Sequence, residues 1–152
     1  MKRFQKILAV TTFAVVLFTG CDKDDDNDTD PVNATNKELL TAKTWQVGET
    51  VQNVSGTRTH YLRGGENTSG VAMGTLRIKF NADGSGSHTD VDGINYTLTW
   101  AFTSADESTM HITIGGIYNF DWYFVDIEAD NLLTSNNVST NGIITSKWIP
   151  VP

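Results

Sequence analysis

Four segments of this chain alternate apolar and polar side chains so regularly that they restrict it to β-sheet with one buried face. In residues 75–80, Leu76, Ile78 and Phe80 point one way and Thr75, Arg77 and Lys79 the other, because successive side chains of a strand leave on opposite faces. Tyr96, Leu98, Trp100 and Phe102 share a face in residues 94–102. Met110, Ile112 and Ile114 do so in 110–114, and Tyr118, Phe120, Trp122 and Phe124 in 118–124. Turn residues stand between these runs: Asp83-Gly84, Asp92-Gly93, residues 104–107, Gly115-Gly116 and Asp130-Asn131. Gly, Asn and Asp reach the positive φ that tight hairpins require. Two more strands are expected over 132–135 and 143–149, and residues 86–91 read as a polar, edge-like strand. Helix signals are confined to 36–42, with Asn36 as the cap and Leu39 and Leu40 as the apolar contribution. Strands at this spacing predict an all-β, antiparallel up-and-down meander. Closing it into a barrel of about eight strands removes the exposed edges of an open sheet.

Eight of the fourteen inward positions just named are aromatic, each burying about 150–250 Å². Such an interior is either a filled core or an aromatic wall around a ligand, and an eight-stranded barrel is wide enough for both. Tyr96, Trp100, Tyr118, Phe120 and Trp122 are the candidate ligand-contacting residues. Residues 63–74 form a long glycine-containing loop that reads as a lid over a barrel mouth or as a surface excursion.

The N-terminus constrains location. Lys2, Arg3 and Lys6 precede an apolar run over 7–18. As a helix it spans about 18 Å, well short of the roughly 30 Å of a bilayer core. A basic start, a short apolar run and small residues at its end describe a secretory signal peptide over 1–20. Leu17-Phe18-Thr19-Gly20-Cys21 resembles a bacterial lipobox. The resemblance implies cleavage before Cys21 and acylation of that residue, and two or more acyl chains hold a protein stably at a membrane. Residues 21–36 form an acidic tether in which Asp22, Asp24, Asp25, Asp26, Asp28 and Asp30 repel one another. Its alternating acids do not make a calcium loop. Counted from Asp24, the positions that need Gly and Glu are Thr29 and Thr35. Cys21-Asp22-Lys23-Asp24-Asp25-Asp26 is similar to the export signals of surface lipoproteins in Bacteroidota-type bacteria. That implies an outer-membrane protein displayed on the cell surface; the alternative is an anchor facing the periplasm.

From Cys21 onward, eight Lys and Arg face all eighteen Asp and Glu, a formal charge of −10. This disfavours nucleic acid as a partner. Cys21 is the sole cysteine, so no disulfide holds the domain. Residues 37–152 are of single-domain size. Within them, Leu39-Leu40-Thr41-Ala42-Lys43-Thr44-Trp45, Phe80-Asn81-Ala82-Asp83-Gly84 and the strand from Tyr96 to Trp100 resemble the lipocalin-like domains of lipoproteins from the same bacteria. The resemblance implies a helix leading into a first strand whose Trp, here Trp45, closes one end of the barrel.

Chemistry finds few signals. His60, His88 and His111 are scattered, without metal-ligand spacing, and His88 and His111 read as surface residues. Asp121 and Asp126, five positions apart, fall on opposite faces of a regular strand. There is no nucleophile elbow and no phosphate-binding glycine loop. The expected function is therefore binding without catalysis, cofactor or metal. The ligand is a small apolar or amphipathic molecule or a glycan fragment. The alternative is a filled barrel acting through its loops in a surface protein complex or as an inhibitor.

Overall fold

The structure is a computed structural model. It describes residues 34–139 and 142–152, the side chains of residues 124 and 137–139 excepted. The expected signal peptide over 1–20, Cys21, the expected tether through residue 33 and the Phe124 side chain lie outside the described residues.

The described chain opens with a helix, α1 (Asn36–Thr41). Its cap is Thr35 rather than Asn36. Thr35 and Glu38 form a reciprocal capping box: the Glu38 amide donates to Thr35 Oγ1 at 3.2 Å, and the Thr35 amide donates to Glu38 Oε2 at 2.8 Å. Among the described residues nine strands follow: β1 (Thr44–Val54), β2 (Thr57–Leu62), β3 (Arg77–Phe80), β4 (Ser85–Thr89), β5 (Asn95–Phe102), β6 (Thr109–Ile114), β7 (Tyr118–Ile127), β8 (Leu132–Ser139) and β9 (Gly142–Pro150). All their pairings are antiparallel. From β3 to β9 each strand pairs with its sequence neighbour, and β9 then pairs with β1 from Trp45–Pro150 to Val54–Gly142. Strand β1 meets β3 over Thr44–Gln46, so eight strands close a barrel.

Strand β2 stands outside this ring. It takes the same edge of β1 further along, from Glu49–Leu62 to Val54–Thr57. The seam where that edge passes from β3 to β2 is sealed by residues 63–76. The Arg63 amide donates to Gly48 O and its guanidinium to Val47 O, at 2.8 and 2.6 Å. Met73 is buried in the core, and the Thr75 hydroxyl donates to Val91 O at 2.6 Å. His60 ties the same loop to β1, with Nδ1 2.9 Å from Glu66 and Nε2 2.9 Å from Glu49. Those two hydrogen bonds, Glu66 first, hold its pKa above the ordinary histidine value.

Strand β4 is an internal strand of the barrel, not an edge. It pairs with β3 on one side and β5 on the other. Its low apolar content reflects what its inward face carries, Gly86 and His88. Two irregularities reset the alternation. At Gly48 the β1–β9 register shifts, so Trp45 and Val47 are buried before the break and Thr50 after it. Between Tyr123 and Asp126 the β7–β8 register shifts, so Trp122 is buried and then Val125 and Ile127. The second bulge leaves Asp126 on the outer surface together with Asp121, where a regular strand would have separated them.

The helix end of the barrel is solid. Trp45 is 0% exposed and its indole N–H donates to Leu40 O at 2.9 Å, binding α1 across the barrel end. Phe80 sits behind it, with edge-on contacts to Trp100 and Trp122 at 5.5 and 6.0 Å between ring centres, the geometry that aromatic quadrupoles favour. Leu98, Met110, Ile112 and Leu132 fill the remaining space.

Candidate ligand cavity

Toward the other end the interior opens. The turns at 90–94 and 115–117 and the start of β9 lie there. A cavity of about 160 Å³ is bounded by apolar groups from Leu76, Ile78, Ile114, Phe120, Trp122, Ile144 and Trp148, and by polar ones from His88, Thr134, Asn136 and Ser146. No Asp, Glu, Lys or Arg is among them. Each strand delivers its share by parity. Ile78 and His88 pair across β3 and β4, Thr134 and Ser146 across β8 and β9, and Asn136 with Ile144.

The polar wall is organised. The Trp148 indole N–H donates to Thr134 Oγ1 at 3.2 Å, and Thr50 Oγ1 and Ser146 Oγ lie 3.2 Å apart. Trp148 also packs against Trp122 at 5.5 Å. His88 differs from these, and it is not the surface residue that its polar strand suggests. Its Nδ1 is buried and has no hydrogen-bond partner among the described residues. Burial pushes its pKa below the ordinary value of 6.5, with the Asp90 charge pulling the other way. The imidazole is therefore neutral at pH 7. Tyr96 stands against it, ring centres 6.5 Å apart.

The five ligand-contacting candidates are distributed unevenly over this geometry. Phe120 and Trp122 line the cavity. Tyr96 is half-buried beside His88 and is not part of the lining. Trp100 belongs to the solid end: it is 7% exposed, and its indole N–H is shared between Asn81 O and Ser85 O, each at 3.1 Å. Tyr118 is 65% exposed. Its parity matches that of Trp122, but it pairs with Ile114 at the last step before the Gly115–Gly116 turn, and no strand covers it. Trp45 is at the closed end. Sequence reasoning passed over His88, Thr134, Asn136, Ser146 and Trp148. Period-2 counting applied to β9 would have placed Ser146 and Trp148 with Ile144. Nothing local marks His88 as inward, because its strand carries no apolar neighbour of the same parity.

Elsewhere polar groups are satisfied at the surface. His111 Nδ1 meets Asp121 Oδ1 at 2.7 Å on the outer face. No group of three or more His, Cys, Asp and Glu among the described residues is placed to hold a metal ion. In the His60 cluster, the two carboxylates occupy opposite ring nitrogens. None of the known family models, curated proteins and solved structures compared with this chain matches it.

Proposed function

We propose that this chain is a lipid-anchored outer-membrane lipoprotein, displayed on the cell surface, whose lipocalin-like barrel holds a small amphipathic molecule or glycan fragment and makes or breaks no bond. The observation that carries the binding part is the cavity. An interior able to bury aromatic rings is instead left open over about 160 Å³, with indole and phenyl walls and neutral polar groups converging on it. Sites that bind small molecules share this composition, mostly apolar with a few placed polar groups. The anchoring part rests on the lipobox-like residues ending at Cys21 and the acids that follow. The barrel's connection to those residues is at Ala34–Thr35, next to α1 at the closed end, which leaves the cavity mouth at the end away from that connection.

Trp emission reports on the cavity directly, because Trp122 and Trp148 form part of its wall. Titration of the domain with small cyclic ligands is expected to give a saturable change in emission. Trp122→Leu is expected to weaken binding at least about tenfold, roughly 1.4 kcal/mol. Trp100→Leu is expected to lower stability by about 2 kcal/mol with affinity unchanged, since that ring lies in the solid end. Equal losses of affinity in both variants, or no saturable change across the ligand set, would refute cavity binding. Display is tested separately. Protease added to intact cells is expected to remove the domain, and full protection would refute a surface location.

A second reading, interaction through the loops, draws on one observation. Ile94, Ile117, Tyr118 and Ile143 are all exposed around the open end, an apolar rim of the kind that marks contact surfaces. A silent titration would leave that reading in place.

A further inference from the structure

We propose that His60 is a proton-operated latch: its imidazolium fastens residues 64–72 over the outer edge of β2, and loss of the proton lets that segment lift. Among the described strands β2 alone stands outside the barrel ring, so its outer edge has no neighbouring strand. Residues 64–72 cover that edge. The Leu62 amide donates to Glu66 O at 2.7 Å, the His60 amide to Thr68 Oγ1 at 2.8 Å, and the Thr68 amide to His60 O at 2.8 Å. A strand edge left open is a template for unwanted pairing, and covering it with a loop is one way to prevent that. The cover has no apolar hold of its own. Arg63 before it is bonded to β1 and Met73 after it is buried, but no residue between them is buried. Segments with few buried contacts open at low free energy, so the polar bonds of residues 64–72 decide how often they lift.

Glu66 is the only charged residue in the segment. Its Oε2 lies 2.9 Å from His60 Nδ1, and Glu49 Oε1, on β1, lies 2.9 Å from Nε2. A neutral imidazole carries one N–H and donates to one of these carboxylates, leaving the other against a lone pair. The imidazolium donates to both. The two-sided contact therefore exists only with the proton on. Cations stand near but do not replace it. Arg58 is two residues earlier on β2, and Lys147 on β9 pairs in register with Glu49. The Arg63 guanidinium is directed at the carbonyls of Val47, Met73 and Gly74. Among the described residues none of the three forms an ion pair with either carboxylate. The hydrogen bonds to Glu66 and then Glu49 hold the His60 pKa above the ordinary 6.5. A histidine with a raised folded-state pKa adds its stability in full below the unfolded value and loses it as pH rises through the folded one. The latch is thus closed in acid and opens toward alkaline pH.

Neither His60, Glu49 nor any of residues 64–72 lines the cavity, so the latch holds or fails independently of ligand binding. Amide exchange of the whole chain is measured from about pH 5.5 to about pH 8.5, each rate divided by the intrinsic rate at that pH. Protection at Leu62 and Thr68 is expected to fall about threefold over this range, in keeping with a solvent-exposed ion pair. Ile112, in the core of the barrel, is expected to keep its protection. The His60 ring is expected to titrate by NMR with a midpoint above 6.5. Glu66→Gln preserves the side chain's size and its backbone bond to Leu62, and a carboxamide serves Nδ1 as acceptor or donor. In that variant the midpoint is expected to fall and the pH dependence at Thr68 to vanish. His60→Gln is expected to show the alkaline level of wild-type protection at every pH. A wild-type midpoint at or below 6.5, or protection at Leu62 and Thr68 that stays flat with pH, would overturn the latch. So would a pH dependence that survives in Glu66→Gln, because another group would then carry it, and so would a parallel loss at Ile112, which would make the opening global.

Discussion

Replacing Trp45 with alanine is expected to lower the unfolding free energy by about 3–5 kcal/mol, the range for deleting a fully buried large aromatic side chain. Three losses coincide there. The indole is completely buried, so its removal leaves a void that α1 and β3 cannot fill without moving. The Leu40 carbonyl at the end of α1 loses the indole N–H that holds it at 2.9 Å. Leu40, itself fully buried in the same core, loses a neighbour of that core. A helix of six residues has little stability of its own, so α1 is expected to detach and the closed end of the barrel to open. Urea unfolding checks the magnitude, and amide exchange of residues 36–42 checks the mechanism. Trp45→Phe retains most of the volume and removes the hydrogen bond, so its expected cost is only about 1–2 kcal/mol. If the alanine and phenylalanine variants were equally stable, packing of the indole would not be what closes this end.

How far the fold can be read ahead of the structure follows from where its information sits. The hairpins are local. Asp83-Gly84, Asp92-Gly93 and Gly115-Gly116 all turn as their residue types require, and all four glycines have φ between +62° and +86°. Strands β5 and β6, and β7 as far as Trp122, carry apolar residues at every second position, so that part of the barrel's wall is legible in the sequence. What is not local is not legible. The bulges at Gly48 and at 123–126 invert the parity of β1 and β7 through contacts with β9 and β8, which are distant in sequence. The cavity's polar wall arises the same way. Thr134 and Asn136 look like solvent-facing residues until β8 is paired with β9 and β9 closes on β1. Tyr118 and Trp100 mark the opposite limit. Both have the right parity for an inward site, but position along the barrel axis decides whether a ring ends up at the rim, beside the cavity or in the solid end. Alternation within a strand carries no information about that axis.

Strand β4 is where these limits meet, and it supports the second large prediction. An internal strand with the sequence Ser-Gly-Ser-His-Thr has little to bury, and its place in the barrel depends on close approach instead. Gly86 pairs with Phe80 on β3 and with Leu98 on β5. A Cβ at that position would lie 2.2 Å from Lys79 O and 2.8 Å from Leu98 Cδ2. The Leu98 methyl can rotate away, but the Lys79 carbonyl belongs to the β3 backbone and cannot. Gly86→Ala is therefore expected to force β3 and β4 apart and to cost about 3 kcal/mol, at the upper end for an overpacked interior. Gly74→Ala, with nothing within 4 Å of the added atom, is expected to change stability by less than about 0.5 kcal/mol. The separation has a functional consequence, because Ile78 on β3 and His88 on β4 face each other across that ladder and both line the cavity. Gly86→Ala at a temperature where it remains folded is therefore expected to bind ring ligands more weakly than wild type. Full stability together with full affinity in this variant would mean that β3 and β4 can separate without disturbing the barrel, and that the cavity is not shaped by their contact.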